Sequence, residues 1–177
     1  VDIPLVDDSI FRLDCERVLF DFIVKPNILY DIIKDMDDLN TERFILYCNK
    51  IREEGDETKT KNNSKLLFIS KSKSDSMGYS KLIIPMRKSN IPEFKLFKPK
   101  MVAQREQYEL EDCNNLSLSS TYHFDYFSKL IKAIKLSKLI KIRKDMNGIT
   151  SLLLLLGKNH SNNQKNQPLN TEVNGLY

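Results

Sequence analysis

The sequence predicts an α+β domain in which two helices cover one face of a mostly antiparallel sheet. Three observations support this class. Short apolar and β-branched runs recur along the chain, two segments repeat apolar residues at helical spacing, and an Asn-Gly pair between two runs is a strong hairpin signal. With 177 residues, of which 41% are hydrophobic and 29% charged, the chain is long enough for one domain with its own core.

The first predicted strand leads directly into the first predicted helix. The run "VLFDFIV" at Val18–Val24 is apolar and β-branched, with Asp21 as its one interruption, and this pattern predicts a strand. Pro26 follows at a position where the first turn of a helix tolerates proline. Five apolar residues then place one apolar face on a helix over residues 27–38: Ile28, Leu29, Ile32, Ile33 and Met36.

Three further strands are predicted in the middle of the chain. They cover residues 43–49, 66–70 and 79–84, each rich in β-branched or aromatic side chains. Residues 50–64 are charged and polar and predict a loop. Residues 86–115 hold two prolines among scattered charges, so we expect a long excursion with one short strand.

The last third of the chain predicts a strand, a helix and a hairpin. Residues 116–124 alternate as in a strand, and a helical period then runs over residues 124–134, with its apolar face at Phe124, Phe127, Leu130, Ile131 and Ile134. Residues 138–144 and 149–156 predict two strands joined at Asn147-Gly148. The five consecutive leucines predict a strand buried on both faces, with a helix segment as the alternative. The final "NGLY" predicts a turn before a strand that the chain does not complete.

The basic stretch, residues 129–145, concentrates positive charge. Residues 122–145 contain seven cations and two acids, a local charge of +5 in a chain of net charge +4. Lys129, Lys132 and Lys135 are three residues apart, so on a helix they form one stripe opposite the apolar face. Such a stripe is most often an ordinary solvated surface, but it also suits weak, sequence-independent contact with phosphates. The spacing alone leaves both interpretations open.

No residue pattern predicts catalysis, a metal or a cofactor. His123 lies at a helix start and His160 in a polar segment, and we assign neither a catalytic role. Asp31, Asp35 and Asp38 share a helical stripe, but we interpret it as a solvated face because no second acidic cluster accompanies it. The three cysteines are far apart and show no metal spacing. The longest apolar run is far too short to span a bilayer.

Two segments carry a resemblance to a known family. "LLFISKSKSDSMGYSKLIIP" and "SKLIKIRKDMNGITSLLLLL", together with the β-α-β and α-β-β order, resemble a PCNA-type sliding clamp domain. The nearest subunit type is the Rad-one/Rec-one/Rad-seventeen family of the heterotrimeric checkpoint clamp, the nine-one-one complex. The resemblance implies that residues 1–14 are the end of an interdomain connector and residues 15–177 a carboxy-terminal clamp domain with a truncated last strand. The amino-terminal clamp domain is then absent.

The resemblance also implies a role for individual residues. Partner proteins dock at the connector in this family, which corresponds to Ile3, Pro4, Leu5 and Val6. The residues implied to face DNA in the central channel are Lys34, Lys129, Lys132, Lys135 and Lys138. Those implied to meet the next subunit are Tyr79, Leu82, Ile83 and Ile84. The acids on helix 27–38 depart from a uniformly basic channel lining.

The implied function is to encircle duplex DNA without sequence preference, in DNA damage sensing, checkpoint signalling and repair in the nucleus. The implied partners are two other clamp subunits and a clamp loader, with no membrane, no cofactor and no enzymatic step. Three alternatives stay open. They are a DNA exonuclease, an activity attributed to this family; a homotrimeric replication clamp; and an α+β interaction domain whose basic helix binds an acidic protein.

Overall fold

The computed structural model describes residues 12–51, 63–74, 76, 78–98, 116–157 and 171–174. Within these ranges twelve elements follow one another along the chain. They are β1 Val18–Val24, α1 Pro26–Asp38, β2 Thr41–Ile51, β3 Asn63–Ser72, β4 Tyr79–Ile84, β5 Glu93–Leu96, β6 Leu116–His123, α2 Phe124–Ser128, α3 Ile131–Leu136, β7 Ser137–Asp145, β8 Thr150–Leu156 and β9 Thr171–Asn174.

The described strands form two antiparallel sheets. One has the order β5-β1-β7-β8-β9 and the other β4-β3-β2-β6. The helices cover these sheets from one side, since α1 contacts β2 and β7, α2 contacts β2 and β6, and α3 contacts β7 and β8. The predicted α+β class is therefore confirmed. The sequence suggested one sheet, because strand periodicity shows which residues face the core but not which strands pair.

Alternating side chains of both sheets build one core beneath the helices. On β1 the burial alternates strictly along the strand, with Phe20, Phe22 and Val24 at 1% exposure or less. The ring of Phe44 on β2 lies 5.1 Å from that of Phe127 on α2, centroid to centroid, so an aromatic contact fixes α2 to its sheet.

Helix α1 confirms the predicted segment to within one residue at its start. Pro26 occupies its first turn, and its buried side chains belong to the predicted apolar face: Leu29, Ile32, Ile33 and Met36. The helix ends where Asn40 adopts a left-handed backbone with φ of 52°. The Thr41 hydroxyl then donates to the Met36 carbonyl and ties the start of β2 to the last turn of the helix.

The predicted second helix is divided into α2 and α3. Lys129 and Leu130 separate the two helices, and the Leu130 amide donates to the Phe127 carbonyl three residues back at 3.1 Å. Phe124, Phe127 and Leu130 are each three residues apart in the sequence. That spacing suits a tighter turn than the 3.6-residue α-helix. The apolar face still reaches the core, with Phe124, Phe127 and Ile134 buried.

The β7–β8 turn is organised by Asp145, whose side chain is fully buried. Its carboxylate accepts the amides of Asn147 and Ile149, each at 2.9 Å, as an Asx-type turn does. Its other oxygen accepts the amide of Asp14 at 2.9 Å. One carboxylate thus closes the turn and attaches the segment that precedes β1.

The run of five leucines is not buried throughout. Leu152 and Leu154 lie in the core, whereas Leu155 and Leu156 are 50% and 40% exposed. The expectation of a strand buried on both faces is therefore wrong at its end. The last described strand, β9, pairs with β8 and directly precedes the final residues 175–177 of the sequence.

Candidate nucleic-acid interface

The exposed side of α2, α3 and the turn between them carries Lys129, Lys132 and Lys135, which we call the helical lysines. All three are exposed, while the opposite sides of the helices bury Phe127 and Ile134. The break between α2 and α3 does not bring a lysine inward. The predicted basic stripe therefore exists as a surface, although on two short helices.

Two aromatic rings hold two of the helical lysines. The ammonium of Lys129 lies 5.5 Å from the ring centroid of Tyr126, and that of Lys135 lies 5.5 Å from the ring centroid of Tyr30 on α1. Contacts of this kind contribute about 0.5–1 kcal/mol at exposed sites. The second contact also joins α3 to α1, so the two helices present one surface.

Lys138 extends this surface onto the start of β7. Its side chain is exposed, and its aliphatic part lies against Gly157 at the end of β8. A Cβ added at Gly157 would stand 2.7 Å from the Lys138 Cε, so glycine leaves the room that this side chain occupies. Lys138 also lines a groove with Tyr30 of α1 and Lys135 of α3, so it lies on the same side of the sheet as the helices.

Lys34 lies on α1 in a different electrostatic setting. It is exposed, but the neighbouring exposed positions on the same helix are acidic: Asp31, Asp35, Asp37 and Asp38. The structure therefore places Lys34 on the helical side of the molecule without joining it to an uninterrupted basic surface.

The remaining cations of the basic stretch have other roles. Lys141 lies on the opposite face of its sheet and pairs with Asp21 at 3.2 Å. Arg143 is on that same face, where its guanidinium approaches the sulfur of Cys15 at 4.0 Å. Of the seven cations, only the helical lysines and Lys138 are exposed on the helical side.

Lys144 points inward, between the two sheets. Its ammonium donates to the hydroxyl of Ser120 on β6, and Tyr122 on the same strand hydrogen-bonds to Thr150 on β8. Burial lowers the pKa of Lys144, against the opposing effects of Asp145 and Cys48. Burial also raises the pKa of the nearby Cys48 thiol to about 12. Sequence reasoning missed this polar contact between the sheets, because it depends on pairing that no local pattern shows.

The β4 edge is the second candidate surface. Among the described strands, β4 is hydrogen-bonded to β3 alone, so its other edge is open. Tyr79 and Ile83 are 64% and 66% exposed, whereas Leu82 packs against the core and Ile84 is 2% exposed. Of the four residues predicted here, two expose their side chains, Leu82 is partly buried and Ile84 is buried.

Other predicted positions carry less structural information. Ile3, Pro4, Leu5 and Val6 lie outside the described residues, as does His160. His123 is exposed at the start of α2, beside Tyr126. In the described ranges no three His, Cys, Asp or Glu side chains group closely enough to hold a metal ion. None of the described helices is long and apolar enough to cross a membrane.

The fold and the sequence agree with one protein family. A family model described as "Repair protein Rad1/Rec1/Rad17" matches residues 3–156. The chain belongs to this family. The two antiparallel sheets covered by helices are the PCNA-like clamp-domain arrangement that the resemblance implied.

A named relative extends the comparison. The DNA damage checkpoint control protein RAD17 of Saccharomyces cerevisiae is 24% identical over 149 residues. The match covers 84% of this chain and 32% of the relative, so the chain spans about a third of that protein's length. The family match includes all of the basic stretch and the β4 edge.

Proposed function

We propose that this chain is part of a subunit of a heterotrimeric checkpoint clamp that encircles duplex DNA in the nucleus. Family membership and the checkpoint role named for the yeast relative support the biological setting. The proposed partners are two other PCNA-like subunits and a clamp loader. The proposed activities are DNA damage sensing, checkpoint signalling and repair.

The observation that carries the proposal is the separation of apolar and basic sides on the helices. The helical lysines and Lys138 point away from the sheets, on the side of the molecule where the described helices lie. Four cations spread over such a surface suit contacts to phosphates, which position a protein on DNA without reading its sequence. Weak contacts of this kind permit sliding.

Helix α1 makes the proposed DNA surface asymmetric. Lys34 stands among exposed aspartates, which repel phosphates, so most of the attraction comes from α2, α3 and the start of β7. A ring in which several subunits contribute does not need every helix to be basic. We therefore assign Lys34 the weakest of the proposed DNA contacts.

The β4 edge is the proposed contact with a neighbouring subunit. An open edge with exposed Tyr79 and Ile83 is prone to aggregate unless a partner strand covers it. Pairing with a strand of the next subunit satisfies the free backbone groups, and the two side chains extend the contact. Leu82 and Ile84 support it from within. The docking segment Ile3, Pro4, Leu5 and Val6 remains part of the proposal by family resemblance alone.

We propose that no chemical step takes place in this chain. The described acids of α1 are all exposed, and they do not converge with other metal-ligating groups. A metal-dependent exonuclease assay on the wild type and on an Asp31→Asn/Asp35→Asn variant checks this. Cleavage that the double substitution abolishes would favour the exonuclease alternative.

The test of the main proposal determines which subunits the assembly contains and whether it encircles DNA. The protein is tagged in its own cells, purified at low salt and weighed as an intact assembly by native mass spectrometry. One copy with two different clamp-like partners is expected. The assembly should remain on closed circular DNA and leave when the circle is linearised. Three identical copies would indicate a replication clamp, and a monomer with no such partner would contradict the proposal.

A further inference from the structure

A groove lies where the first turn of α1 meets the junction of α3 and β7. Its volume is about 480 Å³, within the range of small-ligand pockets. Six of its lining residues carry the argument: Lys25, Asn27, Tyr30, Lys135, Ser137 and Lys138. A groove of this volume is too small to hold a duplex.

Three lysines from three different elements converge on this groove. Lys25 directly precedes α1, Lys135 lies on α3 and Lys138 lies on β7. In the part of the chain that the structure describes, no ion pair joins any of them to a carboxylate. The start of the thirteen-residue α1 adds the positive end of its dipole on the same side. The groove is therefore suited to an anion.

An aromatic ring forms part of the groove wall. Tyr30 is half-buried, and its ring is held 5.5 Å from the Lys135 ammonium. The combination of lysines with an aromatic ring is how proteins hold single-stranded nucleic acid, with phosphates on the cations and a base on the ring. In a duplex the bases are stacked inside and cannot reach such a wall. The polar groups of Asn27 and Ser137 offer hydrogen bonds to a base edge or sugar.

We propose that this groove binds an unpaired nucleotide of single-stranded DNA. Lys25 and Lys138 contact its flanking phosphates, and Tyr30 packs against its base. The proposal rests on the proposed function, since the groove opens beside the helical lysines. The groove adds single-stranded DNA as a second ligand, which the helical lysines alone would not distinguish from duplex DNA.

The molecule supplies a matched control for the ring. Tyr126 and Lys129 form an aromatic–lysine pair with the same 5.5 Å separation on the same helical side, but neither residue lines the groove. Tyr126→Leu thus removes an equivalent ring outside the proposed site. Tyr30→Phe keeps the ring inside the site and removes only the hydroxyl.

The experiment measures binding of a labelled oligo-dT strand and of a labelled duplex at low salt, by fluorescence anisotropy of the full chain. Tyr30→Leu should weaken oligo-dT binding about 10- to 100-fold, the usual effect of removing one stacking ring. Its duplex binding should change by less than about twofold, because the helical lysines remain. Tyr30→Phe should bind both probes like the wild type, and Tyr126→Leu should keep its oligo-dT binding within about twofold of the wild type, because Tyr126 lies outside the groove.

Two results would overturn the groove proposal while leaving the clamp function intact. One is duplex binding without any oligo-dT binding, and the other is equal loss of oligo-dT binding from Tyr30→Leu and Tyr126→Leu. If the intact wild-type assembly did not stay on duplex DNA, that result would instead contradict the proposed function itself. Because Tyr30 also packs on the core, a second measurement uses the wild type. Photocross-linking of an oligonucleotide that carries 5-iodouracil should attach at Tyr30, and attachment only elsewhere would contradict the assignment.

Discussion

The two halves of the basic stretch carry similar charge but have different surroundings in the folded protein. In residues 129–138 every lysine is exposed on the helical side. In residues 141–145 the charged groups instead contact other residues of the domain. Lys141 pairs with Asp21, Lys144 donates to Ser120, and Asp145 is fully buried in the β7–β8 turn. A run of cations in a sequence therefore does not by itself form one basic surface. The periodicity of each helix or strand decides which side of the molecule its charged side chains face.

The comparison implies that substitutions in the second half damage folding and those in the first half damage binding. The strongest test is Asp145→Ala. Removal of the carboxylate leaves the amides of Asp14, Asn147 and Ile149 without their acceptor, so we expect a loss of about 3–5 kcal/mol in the free energy of unfolding. Urea unfolding measures it.

The control for this prediction is Asp145→Asn, which keeps one acceptor oxygen and should lose less stability. DNA retention of the fraction that remains folded should equal that of the wild type. An Asp145→Ala protein as stable as the wild type would contradict the proposed role of this carboxylate in the turn.

The second prediction concerns the first half of the stretch. Replacing Lys129, Lys132 and Lys135 with Glu should weaken DNA retention about 100-fold, because three phosphate contacts are lost and three repulsive charges are added. The slope of log affinity against log salt should become shallower by about three. Retention of the assembled clamp on circular DNA over a salt series measures both quantities.

The matched control is the same charge change on the outer face of the second sheet. Arg43, Lys65 and Lys71 are exposed on β2 and β3, on the face away from the helices. Their replacement with Glu should leave DNA retention much closer to that of the wild type. Equal losses in the two triple variants would show that net charge alone governs retention, and the assignment of the helical side would be wrong.

The third prediction uses the pH dependence of the second half. The pKa of Lys144 is lowered in the fold, so between that value and the ordinary 10.5 the folded protein has released a proton that the unfolded chain still holds. Stability therefore rises with pH in that window. Cys48 has the opposite effect, since its thiol stays protonated to about 12 in the fold but ionises near 9.0 when unfolded. Stability contributed by Cys48 is thus lost as pH rises above 9.0.

Lys144→Met removes the first contribution and leaves the second. The alkaline loss of stability should consequently be steeper in this variant than in the wild type, as measured by urea midpoints between neutral and alkaline pH. Cys48→Ala in the same background should flatten the curve again. A Lys144→Met curve parallel to that of the wild type would mean that Lys144 does not change its proton affinity on folding.

Local patterns predicted much of the fold. The bounds of β1 and β4 were predicted to the residue, and α1 differs by one residue at its start, because each is governed by its own periodicity and by Pro26. The exposure of the helical lysines also followed from their spacing opposite apolar residues. These features depend on near neighbours in the sequence.

The missed features depend on residues far apart in the sequence. The structural role of Asp145 requires Asp14, 131 residues away, although an Asp two residues before Asn-Gly is itself a turn signal. The groove requires Lys25 to meet Lys135 and Lys138. The inward direction of Lys144 requires the second sheet to supply Ser120. No helical or strand period contains such information.

The smallest predicted effect concerns Lys138 and Lys141, where the two halves of the basic stretch meet. Lys141 is only three residues beyond Lys138, yet it lies on the opposite face of β7 and pairs with Asp21. Lys141→Met should cost about 1 kcal/mol or less, since partly exposed ion pairs contribute little. It should leave DNA retention unchanged, whereas Lys138→Met should reduce the salt slope by about one. If Lys141→Met lowered DNA retention as much as Lys138→Met, the whole basic stretch would act as one surface, and the division between binding and structural charges would be wrong.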